Sequence, residues 1–500
     1  DVLRSRPAPF SLLPAAPKTP VPEAPLEEGK LGKAGGGLWR FAFLPLPPRW
    51  RMLLILCINI CVSYLPWYTF VPITSQGMAA FEVVSQDLNM LCIIYSLVYV
   101  PSVFLSDKLL TAVGCRRCFI FATGCLSVGC WLRCRPSLLE NLPVSLLPFT
   151  WLLLGQTLCA AGQTFLVNAT SHMAAEWFPP DERPAAAMIS NLMNFLGGSL
   201  SFVVPTWYVS PSAPLRLAQQ QVDALLFAQF QASVGALLLT VSLYRDAPLA
   251  TSMSLKRLAE PMCSELINIL SSRDFWLING QFIVYLTVMN TFDAVEGALL
   301  LNYGYSEALS SWSAVVFGGT SIVSTILEAA VIRHPAHYRN ALIGSNCLLG
   351  LSCLLVLSSL SLRLKGSGFV FAVAVMGFSS PGWGCSLELG SEVCYPAHEA
   401  TVSSLLEACG AVTSVVGILL AQWLIDSGRS SLLLLVMAGA SFAGAASLLC
   451  LSGRLHRREA EEVEIQLQEL GDRGRALETG LGSVGCKHLG KRSDLLESES

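Results

Sequence analysis

Apolar residues along this chain fall into blocks of roughly 18 to 26, separated by short polar connections. A run of that length, wound as an α-helix, crosses about 30 Å of hydrocarbon. The blocks predict helices near 52–72, 88–106, 117–135, 148–173, 184–209, 222–244, 275–301, 311–332, 341–362, 368–390, 400–425 and 430–452. Twelve transmembrane helices is an even number, which puts both ends of the chain on one side of the bilayer. The longest internal connection, 245–274, divides them into two sets of six. The expected fold is an all-α membrane protein with one half over 49–244, a linker over 245–274 and a second half over 275–453. Tails at 1–48 and 454–500 flank these. An internal echo supports related halves: Phe178-Pro179-x-x-Glu182 closes the fourth span and Tyr395-Pro396-x-x-Glu399 closes the tenth. A 6+6 arrangement of this kind is typical of carriers whose halves rock about a central site.

Composition narrows the solvent. Hydrophobic residues make up 53% of the 500 and charged residues 13%, against about 25% charged in an average soluble domain. Lipid is the natural surrounding. A net charge of −3 with scattered basic residues gives no footprint for nucleic acid. Most of the seventeen cysteines lie inside the apolar blocks, where a thiol acts as a small hydrophobe. Ten of the 27 prolines fall in residues 1–48, which read as a disordered tail. The chain begins at Asp1 rather than Met, which implies a missing start, and no signal peptide is visible before Met52. Residues 456–470 have the pattern of a short amphipathic helix in a solvated tail.

Orientation follows from Lys and Arg, which concentrate in cytoplasmic loops. With the N-terminus inside, the inner loops hold Lys108, Arg116, Arg117, Arg183, Arg245, Lys256, Arg257, Arg273, Arg333 and Arg339. The outer loops hold Arg133, Arg135, Arg216, Arg363, Lys365 and Arg429. Both termini are therefore expected in the cytoplasm. The membrane itself, plasma or lysosomal, is left open, because Asp494-Leu495-Leu496 is too incomplete for a sorting signal. The reading is of a monomer.

Ionisable and amide side chains are costly in lipid, so those inside spans mark a pathway or a gate. On the seventh span Asn290, Asp293 and Glu296 are three apart and share one helical face. Two acids facing one cavity perturb each other's titration, which suits a cationic solute or proton coupling; if the span is shifted outward, Glu296 lies at its wet mouth instead. Gln156 and Gln163 are two turns apart on the fourth span and can hydrogen-bond a solute or a neighbouring helix. Trp67, between Pro66 and Tyr68, offers either a cation-π face or an interface anchor. Near the inner ends, Asp107, Arg116, Arg117, Glu176, Arg183, Glu388, Glu392 and Glu399 form a candidate gate. Acids and bases from the two halves would pair when that side closes.

Other chemistry finds little support. Cys115-x-x-Cys118 lacks a second pair, so no metal site is expected. His172 and His398, near the ends of their spans, are the candidates for haem iron, though isolated histidines serve more often in packing or gates. No G-x-S-x-G, P-loop or H-E-x-x-H motif occurs, and neither an enzyme nor a bound cofactor is expected.

Several of these same stretches resemble the major facilitator superfamily and, within it, the group of feline leukaemia virus subgroup C receptor-related transporters. They are Arg49-Trp50 with Trp67, Asp107-Lys108 with Gly114 and Arg116, Gly155-Gln156-Thr157-Leu158-Cys159, Trp177-Phe178 with Glu182, and Asn194 with Leu196-Gly197. Most specific is Glu388-x3-Glu392-x2-Tyr395-Pro396-x2-Glu399. Leu132-Arg133-Cys134, and Asp181-Glu182-Arg183 followed by Leu196-Gly197-Gly198, look nearest to the disrupted in renal carcinoma member, a lysosomal carrier. The resemblance covers about Arg49 to Arg454 and implies a carrier of choline and ethanolamine, haem or pyridoxine, working by alternating access. It matches Trp67 to the tryptophan of the choline carriers. It also places Asp293 where those carriers have an aromatic residue, and Phe195 and Ala411 where they have glutamines. A receptor or scaffold on a carrier fold is the reading from a different class.

Overall fold

The structure is a computed structural model that describes residues 47–134, 148–179, 182–211, 213–246, 262–306, 308–331, 337–395, 397 and 399–451. The expected helix at 456–470, nearly all of both tails, His398 and Pro396 lie outside the described residues. Among the described residues the chain is helical, with no strand.

Pro48 opens α1 (Pro48–Tyr64), where its fixed φ suits the first turn and its missing N–H costs nothing. Pro66 cannot continue the helix. The chain turns through 65–70, makes a 3-10 turn at Val71–Ile73 and enters α2 (Thr74–Phe81). Next come α3 (Ser85–Val113) and α4 (Cys115–Arg133), joined at Gly114, whose φ of 90° favours a residue without a Cβ. The first half ends with α5 (Pro148–Trp177), α6 (Arg183–Tyr208) and α7 (Leu215–Leu243).

A short helix, α8 (Met262–Ser271), lies in the linker, where only a connection is predicted. Beyond it run α9 (Arg273–Asn302), α10 (Ala308–Val331), α11 (Tyr338–Ser361), α12 (Gly366–Gly377), α13 (Pro381–Val393), α14 (Glu399–Asp426) and α15 (Ser430–Ser447).

Where the sequence predicts twelve spans, nine helical stretches among the described residues are long and apolar enough to cross a membrane. They are α3, α6, α7, α9, α10, α11, α12 with α13, α14 and α15. The remaining three have physical reasons to fall short. α1 stops after 17 residues at its proline, α4 carries Arg116, Arg117 and Arg133, and α5 is diluted by Gln156, Gln163 and Asn168. Two predicted spans, 52–72 and 368–390, are broken, the second at 378–380 just before Pro381.

Helices α4 and α5 touch backbone to backbone. A Cβ on Gly129 would meet the Gly155 carbonyl and Cys159, and one on Gly155 would meet Gly129 and Arg133. Small residues permit such contacts, which hold helices together where lipid gives no hydrophobic drive. The two halves meet in a similar way. Ser199 on α6 donates to the Ala314 carbonyl on α10 at 2.8 Å, and Ser311 donates to the Phe202 carbonyl at 3.0 Å. Gly297 on α9 leaves no room for a Cβ beside the Val71 carbonyl and the Thr74 hydroxyl.

At the end where α3 begins and α14 finishes, Gln86 donates to Asp426 at 2.6 Å and Asn89 donates to Gln422. The hydrogen bonds that join the halves gather toward this end. If it must part during the working cycle, bridging Gln86→Cys and Asp426→Cys with a short bifunctional thiol reagent is expected to lower uptake at least about tenfold. Reductive release of a cleavable bridge restores it. Undiminished uptake in the bridged protein would show that this end need not open.

Candidate functional site

The break after α1 frees backbone carbonyls, and in hydrocarbon each must find a new partner. Gln156 on α5 supplies one: its Nε2 donates to Pro66 O at 2.9 Å and Leu91 O at 3.3 Å, with Trp67 O at 3.5 Å. Gln229 on α7 donates to Leu65 O at 3.3 Å and to Thr69 Oγ1 at 3.0 Å. Behind them Arg133 donates to Gln229 Oε1 at 2.9 Å and Thr69 Oγ1 at 3.1 Å. The sequence reading put Arg133 in an outer loop, but it is only 1% exposed. Its fork braces the broken segment, a task a lysine's point charge would do poorly.

This brace fixes an aromatic wall. Trp67 lies nearly parallel to Tyr68 and Tyr95, with ring centroids 4.8 and 4.9 Å away, and tilts against Tyr64 at 5.6 Å. Phe202 from α6 meets Tyr68 at 5.4 Å. Trp67 thus presents a set of stacked rings rather than one free indole face.

The wall borders a cavity of about 200 Å³ between α1, α3, α5 and α6 on one side and α9, α10, α12, α13 and α14 on the other. Trp67, Gln163, Asp293 and Glu296 line it, as does Asn290. Glu296 is 3% exposed and accepts from Ser310 at 3.2 Å and from Ser313, so it is tethered to α10 rather than lying at a wet mouth. Asp293 has no hydrogen-bond or ionic partner among the described residues. Gln163 Nε2 and Asn194 Oδ1 are buried without partners, although both residues line the cavity. Gln156, in contrast, is fully buried outside the cavity wall. Its amide serves the neighbouring helix, one of the two uses its position allowed.

Sequence reasoning passed over Glu407 on α14. It lines the cavity, accepts from Trp383 Nε1 at 2.9 Å and lies within hydrogen-bonding reach of Tyr99. It falls inside the predicted span 400–425, so the rule that flags acids in lipid applies to it as well. No Lys, Arg or His is among the described lining residues.

The sequence profile of the Major Facilitator Superfamily matches residues 56–383. The chain belongs to the Major Facilitator Superfamily. Its curated relatives include zebrafish (Danio rerio) solute carrier family 49 member A3, 28% identical over 57% of this chain and 58% of the relative. The cat (Felis catus) choline/ethanolamine transporter FLVCR1 is 24% identical over 74% of this chain and 66% of the relative. The chain therefore spans about three-fifths to two-thirds of the length of these two relatives. Zebrafish choline/ethanolamine transporter flvcr2a is 23% identical over 76% of this chain and 81% of the relative. These are transporters of the group that the sequence motifs resemble.

Two superfamily structures share the fold at low identity. The E. coli fucose:proton symporter FucP superposes with a TM-score of 0.55 at 13% identity, over 80% of this chain and 99% of the symporter. The proton:xylose symporter XylE does so with a TM-score of 0.63 at 11% identity, over 82% of this chain and 98% of the symporter.

Within the superfamily fold, Phe195 and Ala411 both line the cavity, at the positions where the resemblance puts glutamines. The predicted gate residues sit apart from it. Asp107 pairs with His172 at 2.9 Å, and the Arg116 amide donates to Asp246 at 3.0 Å. Arg117 is exposed, Glu176 is half-buried beside Cys115, and Arg183 donates to the Phe178 carbonyl at 3.0 Å. Glu388 is exposed and Glu392 is buried one turn farther along α13. The Glu399 side chain lies outside the described residues. Arg49 pairs with Glu182 at 3.0 Å while Trp50 packs edge-on against Phe178 at 5.1 Å. The pairs Asp107–His172 and Arg49–Glu182 each stay within one half, whereas the expected lock runs between halves.

The two glutamines of α5 should respond oppositely to truncation. Gln156→Leu leaves carbonyls at the α1 break unpaired and is expected to cost about 1–3 kcal/mol, measured by thermal unfolding in detergent. Gln163→Leu removes an Nε2 that has no protein partner and is expected to leave the midpoint unchanged or raised. Equal destabilisation by both would contradict these assignments.

Proposed function

We propose that this chain is a carrier for a small organic cation, an amine or quaternary ammonium of choline-, ethanolamine- or pyridoxine-like size. The observation that carries the reading is the set of carboxylates, Asp293, Glu296 and Glu407, in a cavity with no basic side chain among its described lining residues. Acids in the bilayer interior cost about 2.5–3.5 kcal/mol each by insertion scales. A cation or a proton entering the cavity relieves that cost, and the aromatic wall adds cation-π attraction of up to about 2 kcal/mol when desolvated. The similarity to FLVCR1 and flvcr2a, which are choline/ethanolamine transporters, supports the same class.

In this reading α1, α4 and α5 cross the bilayer with the nine apolar stretches, making twelve spans in two sets of six that work by alternating access. Both termini face the cytoplasm of a plasma or lysosomal membrane, and the protein acts as a monomer. The hydrogen-bonded end is then the outer one, so the cavity faces inward in this state. The candidate charges at the inner end, Asp107 to Glu399, would pair between halves in the opposite state. Haem transport finds less support, since His172 is engaged by Asp107 outside the cavity lining and 200 Å³ is small for a macrocycle.

In proteoliposomes, labelled choline, ethanolamine or pyridoxine is expected to enter. Asp293→Asn and Trp67→Ala should each lower that uptake about tenfold or more, or about 1.4 kcal/mol. Entry of none of these solutes with the wild type would remove the carrier assignment. Unchanged uptake in both variants would remove the site.

A further inference from the structure

The carboxylates of Asp293 and Glu407 are held at different depths. Helices α9 and α14 run side by side, pinned by Thr287 to Thr413 at 2.8 Å and Asn290 to Ser414 at 3.1 Å. That register sets Glu407 about level with Phe282, roughly 16 Å short of Asp293 at 1.5 Å per residue. Tyr64 lies within electrostatic reach of both acids.

The two acids also have different surroundings. Asp293 adjoins the aromatic wall. Glu407 is oriented by the Trp383 indole N–H, a single neutral donor at 2.9 Å, and by Tyr99. Leu286, Met289 and Asn290 of α9 lie between these two levels and line the cavity, and Phe195 adds an apolar side chain to its wall. Two amides also line the cavity, Gln163 at 5% and Asn194 at 8% exposure, each with a buried polar atom that lacks a partner. Burying polar atoms unpaired is costly, and a bound group of the matching donor or acceptor sense removes that cost.

We infer that the cavity takes an elongated organic dication, a linear α,ω-diamine or polyamine, with one ammonium at Asp293 and the other at Glu407. The inference deepens the carrier reading above and rests on it. A lone ammonium satisfies one pole and leaves the other carboxylate in low dielectric without a counter-charge. A molecule cationic at both ends neutralises both, while its methylene chain lies along the apolar part of the wall and an N–H group can donate to Asn194 Oδ1. Ala411, one turn from Glu407 on the same helix, keeps that path clear of bulk.

The test uses the full-length chain in proteoliposomes and competes labelled choline uptake with α,ω-diaminoalkanes and with monoamines of the same carbon number. Direct calorimetric binding of each amine accompanies it. The expected result is at least about a tenfold preference for longer diamines over matched monoamines, falling to less than about twofold in Glu407→Gln. That variant keeps an oxygen for Trp383 and loses only the charge, so a merely structural role for Glu407 would leave the preference intact.

Equal affinity for diamines and monoamines in the wild type would overturn the inference, as would a preference that survives Glu407→Gln. In either case choline uptake sensitive to Asp293→Asn leaves the carrier reading standing. If neither choline nor any amine is bound or moved, the carrier reading fails and the dication reading fails with it.

Discussion

A helix broken inside a bilayer has to find partners for the carbonyls it frees, and the rest of this site depends on how the first helix does so. The carbonyls of Leu65, Pro66 and Trp67 are served by two glutamines from different helices. One of these glutamines is in turn braced by a buried arginine. Every member of that lattice is in the first half, so the aromatic wall is set before the second half contributes. Only then do Asp293 and Glu296, on an unbroken stretch of α9, meet a surface of fixed shape. Val71, just past the break, also receives Gly297 of α9, so the same local distortion positions the ligand wall and part of the contact between halves.

The cavity divides its labour accordingly. Glu296 is committed to two serines of α10 and acts as a strut between helices. Asp293 is uncommitted and Glu407 is held by neutral donors, which leaves their charge available. Asn194 and Gln163 each keep a polar atom unpaired. Each such atom costs about 1–3 kcal/mol while unpaired, which a ligand of the matching hydrogen-bonding sense can offset.

Much of this was legible in the sequence, for identifiable reasons. Span positions followed from block length, and Trp67, Gln163, Asp293 and Glu296 stood out because polar and aromatic groups are conspicuous within apolar runs. What composition could not resolve was which of two partners an amide chooses. Gln156 and Gln163 are indistinguishable by spacing, yet one serves a broken helix and the other faces the cavity. Arg133 looked like a loop charge because it ends its span, and only the neighbouring Gln229 and Thr69 make its burial tolerable. Glu407 was readable by the rule applied to Asp293 and was simply passed over. The candidate gate residues stand out as charges at helix ends, but their pairing depends on how the halves are disposed, which is absent from any local pattern.

At the hydrogen-bonded end of the bundle amides and hydroxyls bridge the halves, Asn89 to Gln422, Gln86 to Asp426 and Ser311 to Phe202, beside buried apolar side chains such as Ile93, Leu299 and Ile425. Each such bond contributes only about 0.5–1.5 kcal/mol net, because water offers nearly the same bond when the partners separate. In a cycle of alternating access such bonds would add little to the energy difference between the two states, and a ligand's differential affinity for those states would set the balance. A hydrogen bond that water can replace parts at little net cost, so these bridges add only a small penalty of their own to opening.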